Sequence, residues 1–238
     1  MCEHYFRNAM LTLMADKNDP GTIAEIPRIL TDDEFTKYKV SQVKDPMVRS
    51  FWEKEWARIT EQTKSEMLGY LISKIGAFVE NEMMRNIIGQ ARSGFDFREV
   101  MDNSKILLVN LSKGKLGELN SALLGLIIVS KLQMGAMARV DIPQEQRKDF
   151  YLYIDEFQNF TTESIATVLA EARKYRLCLI IAHQFIGQLE EKIRDSVFGN
   201  VGSMVSFRLG PDDAEFMAKQ FEPVFNESDL INIDNFNA

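Results

Sequence analysis

Cysteine and histidine are scarce in this 238-residue chain. It has two of each: Cys2 and Cys178, His4 and His183. That excludes a disulfide framework, a zinc-protease helix and a histidine-rich metal site. Cys2-Glu3-His4 offers two ligand atoms at a terminus, too few for a metal centre. Cys178 lies inside the apolar run Leu177–Ile181, where a thiol packs as a small hydrophobe, and such usage suits a reducing, cytosolic compartment. Six prolines and 13 glycines are too few for a collagen or a linker protein. Long hydrophobic runs are missing too. The longest, Ala122 to Ser130, is broken by Lys131 and too short to span a bilayer, and no basic-then-apolar leader opens the chain. Basic charge is not in excess. With a formal net charge of −7, nucleic-acid contact would have to come from a local groove. Aromatic residues interleaved with basic ones, the mark of a single-strand platform, are not evident. Neither G-x-S-x-G nor G-x-G-x-x-G occurs. The phosphate-binding G-x-x-x-x-G-K-[ST] loop is also lacking. The sole Gly-Lys is Gly114-Lys115, followed by Leu116 and with Val109 where the first glycine belongs. Ser112 to Gly117 therefore reads as a turn with a helix start behind it.

What is present is 45% hydrophobic and 26% charged, the balance of a globular chain able to bury one large domain, or a domain plus a helical subdomain. Its rhythm divides near residue 100. In residues 1–100 the apolar positions recur at helical spacing. Tyr5, Met10 and Leu13 mark a first helix closed by the turn Asn18-Asp19-Pro20-Gly21. Thr31 with Glu34 reads as a capping box, and Asp45-Pro46 as an N-cap followed by proline at the first helical position. Val48, Phe51, Trp52, Trp56 and Ile59 form one stripe; Met67, Leu71, Ile75, Phe78 and Val79 form another. Both read as core packing.

Residues 101–238 change period. Lys105–Asn110, Phe150–Asp155, Leu177–Ala182 and Ser203–Arg208 have the short apolar runs of buried parallel strands. Helices are expected over about 116–139, 163–175 and 212–221, with Val140–Lys148 as an exposed connection. This alternation predicts an α/β fold, a parallel sheet with helices on both faces, beside the helical subdomain.

Tyr151-Leu-Tyr-Ile-Asp155-Glu156 is the most informative string. A buried strand here delivers two adjacent carboxylates to its C-terminal edge, where open parallel sheets bind ligands. Neighbouring strand residues point in different directions, so Asp155 suits a hydrated magnesium ion and Glu156 an attacking water. The plainer reading is an acidic pair that starts a loop and caps the next helix. The following strand ends at Ile181-Ala-His-Gln184, bringing an amide able to bond both a water and a γ-phosphate, or else to satisfy its own loop. Arg173 and Lys174 sit at a helix C-terminus, where the dipole alone favours cations.

Together, Phe150-Tyr-Leu-Tyr-Ile-Asp-Glu-Phe-Gln-Asn-Phe160, Ala172-Arg-Lys-Tyr-Arg176 and Ile180-Ile-Ala-His-Gln184 resemble the HerA–FtsK superfamily. Within it the chain is most similar to the conjugation and type IV secretion ATPases, including coupling proteins of the TraG/TraD type. Asp45–Glu55, Ile87–Gln90, Leu108–Gly114, Gly199-Asn200 and Phe207-Arg208 extend the similarity over nearly the whole chain. The resemblance implies a RecA-like fold lacking its phosphate-loop strand, and ATP and Mg2+ as cofactors. It implies that Asp155 is the metal-side Walker B carboxylate, Glu156 the water activator, Gln184 the sensor and Arg173 an arginine finger acting on a neighbour's nucleotide. Arg208 is a further candidate for nucleotide contact, no better than a strand-end surface arginine.

By the same resemblance the whole protein moves DNA or a DNA–protein complex as a homo-oligomer, a hexamer, in the cytoplasm or at the cytoplasmic membrane face through secretion-channel proteins. A secretion-channel ATPase for pilus assembly or protein export is the nearest rival. A truncated, non-catalytic assembly module is the other. Without the phosphate loop, the chain alone is expected to be inactive, with its missing portion on the N-terminal side of a longer protein.

Overall fold

The computed structural model describes residues 2–161 and 163–238. Along the chain run α1 (Cys2–Leu13), α2 (Ile26–Thr31), α3 (Asp33–Ser41), α4 (Pro46–Ser50), α5 (Glu61–Val79), α6 (Glu82–Ile88), α7 (Phe97–Asp102), α8 (Lys113–Leu116) and α9 (Glu118–Met137). Then come β1 (Phe150–Ile154), α10 (Glu163–Glu171), β2 (Leu177–Ile181), α11 (Glu191–Asn200), α12 (Pro211–Phe221) and α13 (Glu227–Ile231). Two compact units result: residues 1–94 with 113–120, and residues 95–112 with 121–238. Helix α7, which the sequence rhythm assigned to the first half, belongs to the second unit.

The first unit buries Leu13, Ile26, Ile29, Phe51, Trp52 and Leu71 in one core. Asp45 caps α4 as expected, accepting from the amides of Met47 at 2.7 Å and Val48 at 3.4 Å. The expected Thr31–Glu34 capping box does not form. Thr31 is the last residue of α2 and its hydroxyl donates back to Pro27 O, while Asp32 caps α3 by accepting from Phe35 N at 3.0 Å. A carboxylate one residue on competes better for the orphan amides than the hydroxyl does. The first aromatic stripe packs as core from Val48 to Trp56 but not at Ile59, which is extended, and its helix changes winding, with a π segment over Phe51–Glu55 and a 3-10 turn over Trp56–Arg58. Trp52 Nε1 donates to Thr12 Oγ1 at 2.7 Å inside the core. The turn after α1 is pinned by Lys39, whose buried ammonium donates to Asp19 O at 2.6 Å and Asp19 Oδ2 at 2.8 Å. The Phe78 side chain of the second stripe lies outside the described residues.

In the second unit β1 and β2 pair in parallel, Phe150 opposite Leu177 through Ile154 opposite Ile181. Strand alternation then separates two faces. Phe150, Leu152 and Ile154 with Leu177, Leu179 and Ile181 pack onto Met101, Leu132, Ile165, Val168 and Ile193 from the neighbouring helices. On the other face Tyr151 and Tyr153 stay 58% and 72% exposed. The second helical layer is therefore not present among the described residues. Cys178 lies on that face half-covered, and burial, aided by Asp149, pushes its thiol up from the ordinary value.

Two of the four expected strands do not form. Lys105–Asn110 and Ser203–Arg208 run irregularly, with Ile106, Leu108, Val205 and Phe207 all exposed. Apolar sequence alone does not make a strand: its backbone groups need a ladder partner, and neither segment has one among the described residues. Leu107 alone of the first segment reaches the core. Helix α9 forms within the 116–139 stretch expected of it, over Glu118–Met137. Within Glu118–Asp141 an 18-residue window reaches a mean hydropathy of 1.5, so the segment is long and apolar enough, by length and composition, to cross a membrane, whereas the Ala122–Ser130 run alone is too short. Here it buries Leu132 and Ala136 in the core.

One charged group sits inside this unit. Arg139 is fully buried. Its guanidinium donates to Tyr175 O at 3.1 Å and Lys148 O at 2.6 Å, and its Nε lies 3.0 Å from Asp102 Oδ1. Burial pulls its pKa below the ordinary arginine value against the pull of Asp102. Arg98 shares Asp102 and grips Asp141 with both oxygens, at 2.7 and 2.9 Å. Those bonds raise the Arg98 pKa and lower that of Asp141.

Replacing Arg139 with alanine removes the donor to the Tyr175 and Lys148 carbonyls and the ion pair to Asp102, which keeps only Arg98, and should cost about 3 kcal/mol in urea denaturation. Tyr153→Lys, on the bare face, should change stability by less than about 0.5 kcal/mol while reducing light scattering at high concentration.

Candidate active site at the sheet edge

The ladder continues one step past both strands. Ala182 N donates to Ile154 O at 3.0 Å, and Phe157 N donates back to Ala182 O at 2.9 Å. Asp155 and Glu156 therefore leave β1 beside the residues that leave β2. Asp155 is exposed, and one of its oxygens accepts from Glu156 N at 3.0 Å. Glu156 takes the left-handed conformation, φ 51° and ψ 46°, which is uncommon for a residue with a side chain and is retained where the surroundings over-determine it.

Those surroundings can be named. Phe157 is fully buried, and Phe160 lies so close to Gly125 of α9 that a Cβ there would stand 2.3 Å from its ring. Glycine at 125 is what lets the turn seat on the helix. Between the two anchors the 3-10 turn Phe157–Phe160 delivers Asn159 N and Asn159 Nδ2 to Glu156 O at 3.0 and 3.1 Å.

The result is a joined acid and amide. Gln184 Nε2 donates to Glu156 Oε1 at 2.5 Å, bridging the ends of the two strands. Gln158 Nε2 donates to the other oxygen, Oε2, at 2.6 Å. The loop after Gln184 is tied down where Ile186 N meets Asp213 Oδ2 at 3.3 Å. Among the described residues no group of three or more His, Cys, Asp and Glu could hold a metal ion. What Asp155 offers is one solvent-facing carboxylate.

Arg173 is not brought to this edge. It is exposed on the 3-10 turn Ala172–Tyr175, which precedes β2 and so lies at the opposite, N-terminal edge. The five residues of β2 extend roughly 16 Å at the usual strand rise, farther than one side chain reaches. Its turn is firmly held. Arg147 Nη1 donates to Lys174 O, Arg139 to Tyr175 O, Arg176 N to Arg173 O and Phe150 N to Arg176 O. Arg208 is exposed in the irregular segment before α12, with no hydrogen bond or ion pair among the described residues.

Sequence reasoning passed over Gln158, the Phe157–Phe160 anchor and the two guanidinium groups behind Arg173. A signal for the anchor existed, since aromatic residues three apart after a strand suit a 3-10 turn whose side chains eclipse.

Compared with known families, residues 149–221 match the model described as the TraM recognition site of TraD and TraG. That stretch holds β1, the acid pair, Arg173, β2, Gln184 and Arg208, and the match supports a relationship to conjugation coupling proteins. Neither the curated proteins nor the solved structures returned a match.

Strain at Glu156 is testable without any activity. Glu156→Ala and Glu156→Gly both lose the carboxylate, but only glycine adopts this backbone freely. The glycine variant should be more stable than the alanine variant by roughly 1 kcal/mol in thermal unfolding.

Proposed function

We propose that this chain carries the Walker B part of a RecA-like, ATP-driven motor of the conjugation coupling-protein kind. The observation that carries the reading is the Glu156–Gln184 contact at the C-terminal edge of two parallel strands, inside the matched stretch. Open parallel sheets bind ligands at that edge.

Asp155 would hold Mg2+, and its single exposed carboxylate fits, because magnesium is commonly bound through one or two carboxylates with phosphates and water completing the shell. Bound there, the ion supplies positive charge against the charge developing on the phosphates. Glu156 takes a proton from the attacking water, whose oxygen bonds to the γ-phosphorus while the β–γ bridging bond breaks and its electron pair leaves with ADP. Gln184 touches the base and stands where it can sense the γ-phosphate. Arg173, at the opposite edge, serves a neighbouring copy, where its guanidinium would stabilise the transition state; its distance from its own acid pair supports that division of labour. Arg208 remains a candidate for nucleotide contact on sequence grounds alone.

On this reading the working form is a ring of copies, a hexamer, that moves DNA or a DNA–protein complex from the cytoplasm, or from the cytoplasmic membrane face, through channel proteins. A second reading rests on the description of the matched family: the same stretch recognises a TraM-like protein and serves as a docking module.

The protein as its gene encodes it provides the test. Glu156→Gln should keep MgATP binding and lower kcat by about 10^2 to 10^4-fold. Unchanged turnover would remove Glu156 from the mechanism. Retained capture of a TraM-like protein with no turnover in either form would favour the docking reading.

A further inference from the structure

Glu156 is the one group in the proposed site whose two working atoms are both occupied. Gln184 takes Oε1 and Gln158 takes Oε2, each through an Nε2–H donor. A water molecule that is to surrender a proton needs one of these oxygens, and amide donors compete for it. The two glutamines differ in kind. Gln184 is exposed at the strand end, where a nucleotide could turn it. Gln158 is half-buried in the turn anchored by Phe157 and Phe160.

The orientation of the Gln158 amide is fixed by its partner. Turning it over would set its oxygen against the Glu156 carboxylate. In the orientation it keeps, its Oε1 is buried with no hydrogen-bond partner among the described residues. A buried acceptor without a donor is destabilising. The contact with Glu156 is thus made at the expense of the other end of the same amide, and any rotation that gives Oε1 a donor relieves the debt.

We infer that Gln158 is a clasp on the water-activating carboxylate. The structure is a resting state in which the base is covered, and turnover requires Gln158 to release Oε2 while Gln184 reports the nucleotide. This inference rests on the ATPase reading above and names the regulation of that site. Gln158 touches the base rather than the substrate, acts only through Glu156, and is a positioning residue.

The experiment uses the protein as encoded, with Gln158→Met, which keeps the length and loses the donor, and Gln158→Asn, which is too short to reach. Side-chain amide resonances of Gln158 and Gln184 are recorded with and without Glu156→Ala, and kcat and KM are measured for MgATP. The clasp predicts that Glu156→Ala moves both amide signals to free positions. It also predicts that either Gln158 variant raises kcat about tenfold, the scale of one charge-assisted hydrogen bond lost from the resting state, with KM unchanged. A merely structural role would lower kcat or shift KM. Turnover abolished by Glu156→Gln but not raised in the Gln158 variants overturns the clasp and leaves the ATPase reading standing. A Gln158 amide unmoved by Glu156→Ala overturns the clasp as well. Absent turnover in every form, with both amides still responding to Glu156→Ala, overturns the ATPase reading and the release step together.

Discussion

Two backbone hydrogen bonds, from Ala182 to Ile154 and from Phe157 back to Ala182, set the position of every group at the candidate site. They extend the parallel ladder one residue past the strands and lock its register. A slip of one residue would swap the faces of the whole pair, exposing Leu152 and burying Tyr153. The core beneath forbids that, because Ile154 and Leu177 are already fitted among Ile165, Val168 and Ile193. Hydrophobic packing thus chooses the register, and the register chooses which side chains meet at the edge.

The same ladder gives the second unit a polarity. Carboxylates and an amide leave one edge; Arg173 and Lys174 leave the other, on a turn whose carbonyls are tied by Arg139, Arg147, Arg176 N and Phe150 N. Helix C-termini favour cations, and here two guanidinium groups reach that end from outside the helix. Arg139 is costly to bury, yet it links the end of α9, the strand entry at Lys148 and the basic turn in a single group.

Periodicity made much of this legible. The strands at 150–154 and 177–181, read from short apolar runs, the cap at Asp45 and the aromatic stripe from Val48 to Trp56 all follow from local sequence, and the structure repeats them, though it leaves Tyr151 and Tyr153 exposed. The placement of Glu156 beside Gln184 followed from reading both strands as parallel. What periodicity could not supply was pairing. Lys105–Asn110 and Ser203–Arg208 have strand composition, but a strand is a relation between two segments, and composition describes only one. The Thr31 cap failed for a smaller reason of the same sort, since Asp32 was an equally local competitor. Gln158 was invisible because its role depends on a left-handed turn that no spacing rule specifies for a glutamate.

That left-handed glutamate carries a consequence for descent. Chain stability by itself rewards glycine at position 156, so random drift in a copy freed from selection would be expected to erase the acid early. If Glu156 acts as the proposed base, kin of this chain that keep glutamate there, in spite of the backbone's preference, mark a lineage in which the carboxylate is still in use. Glycine at that place would mark one that has retired it.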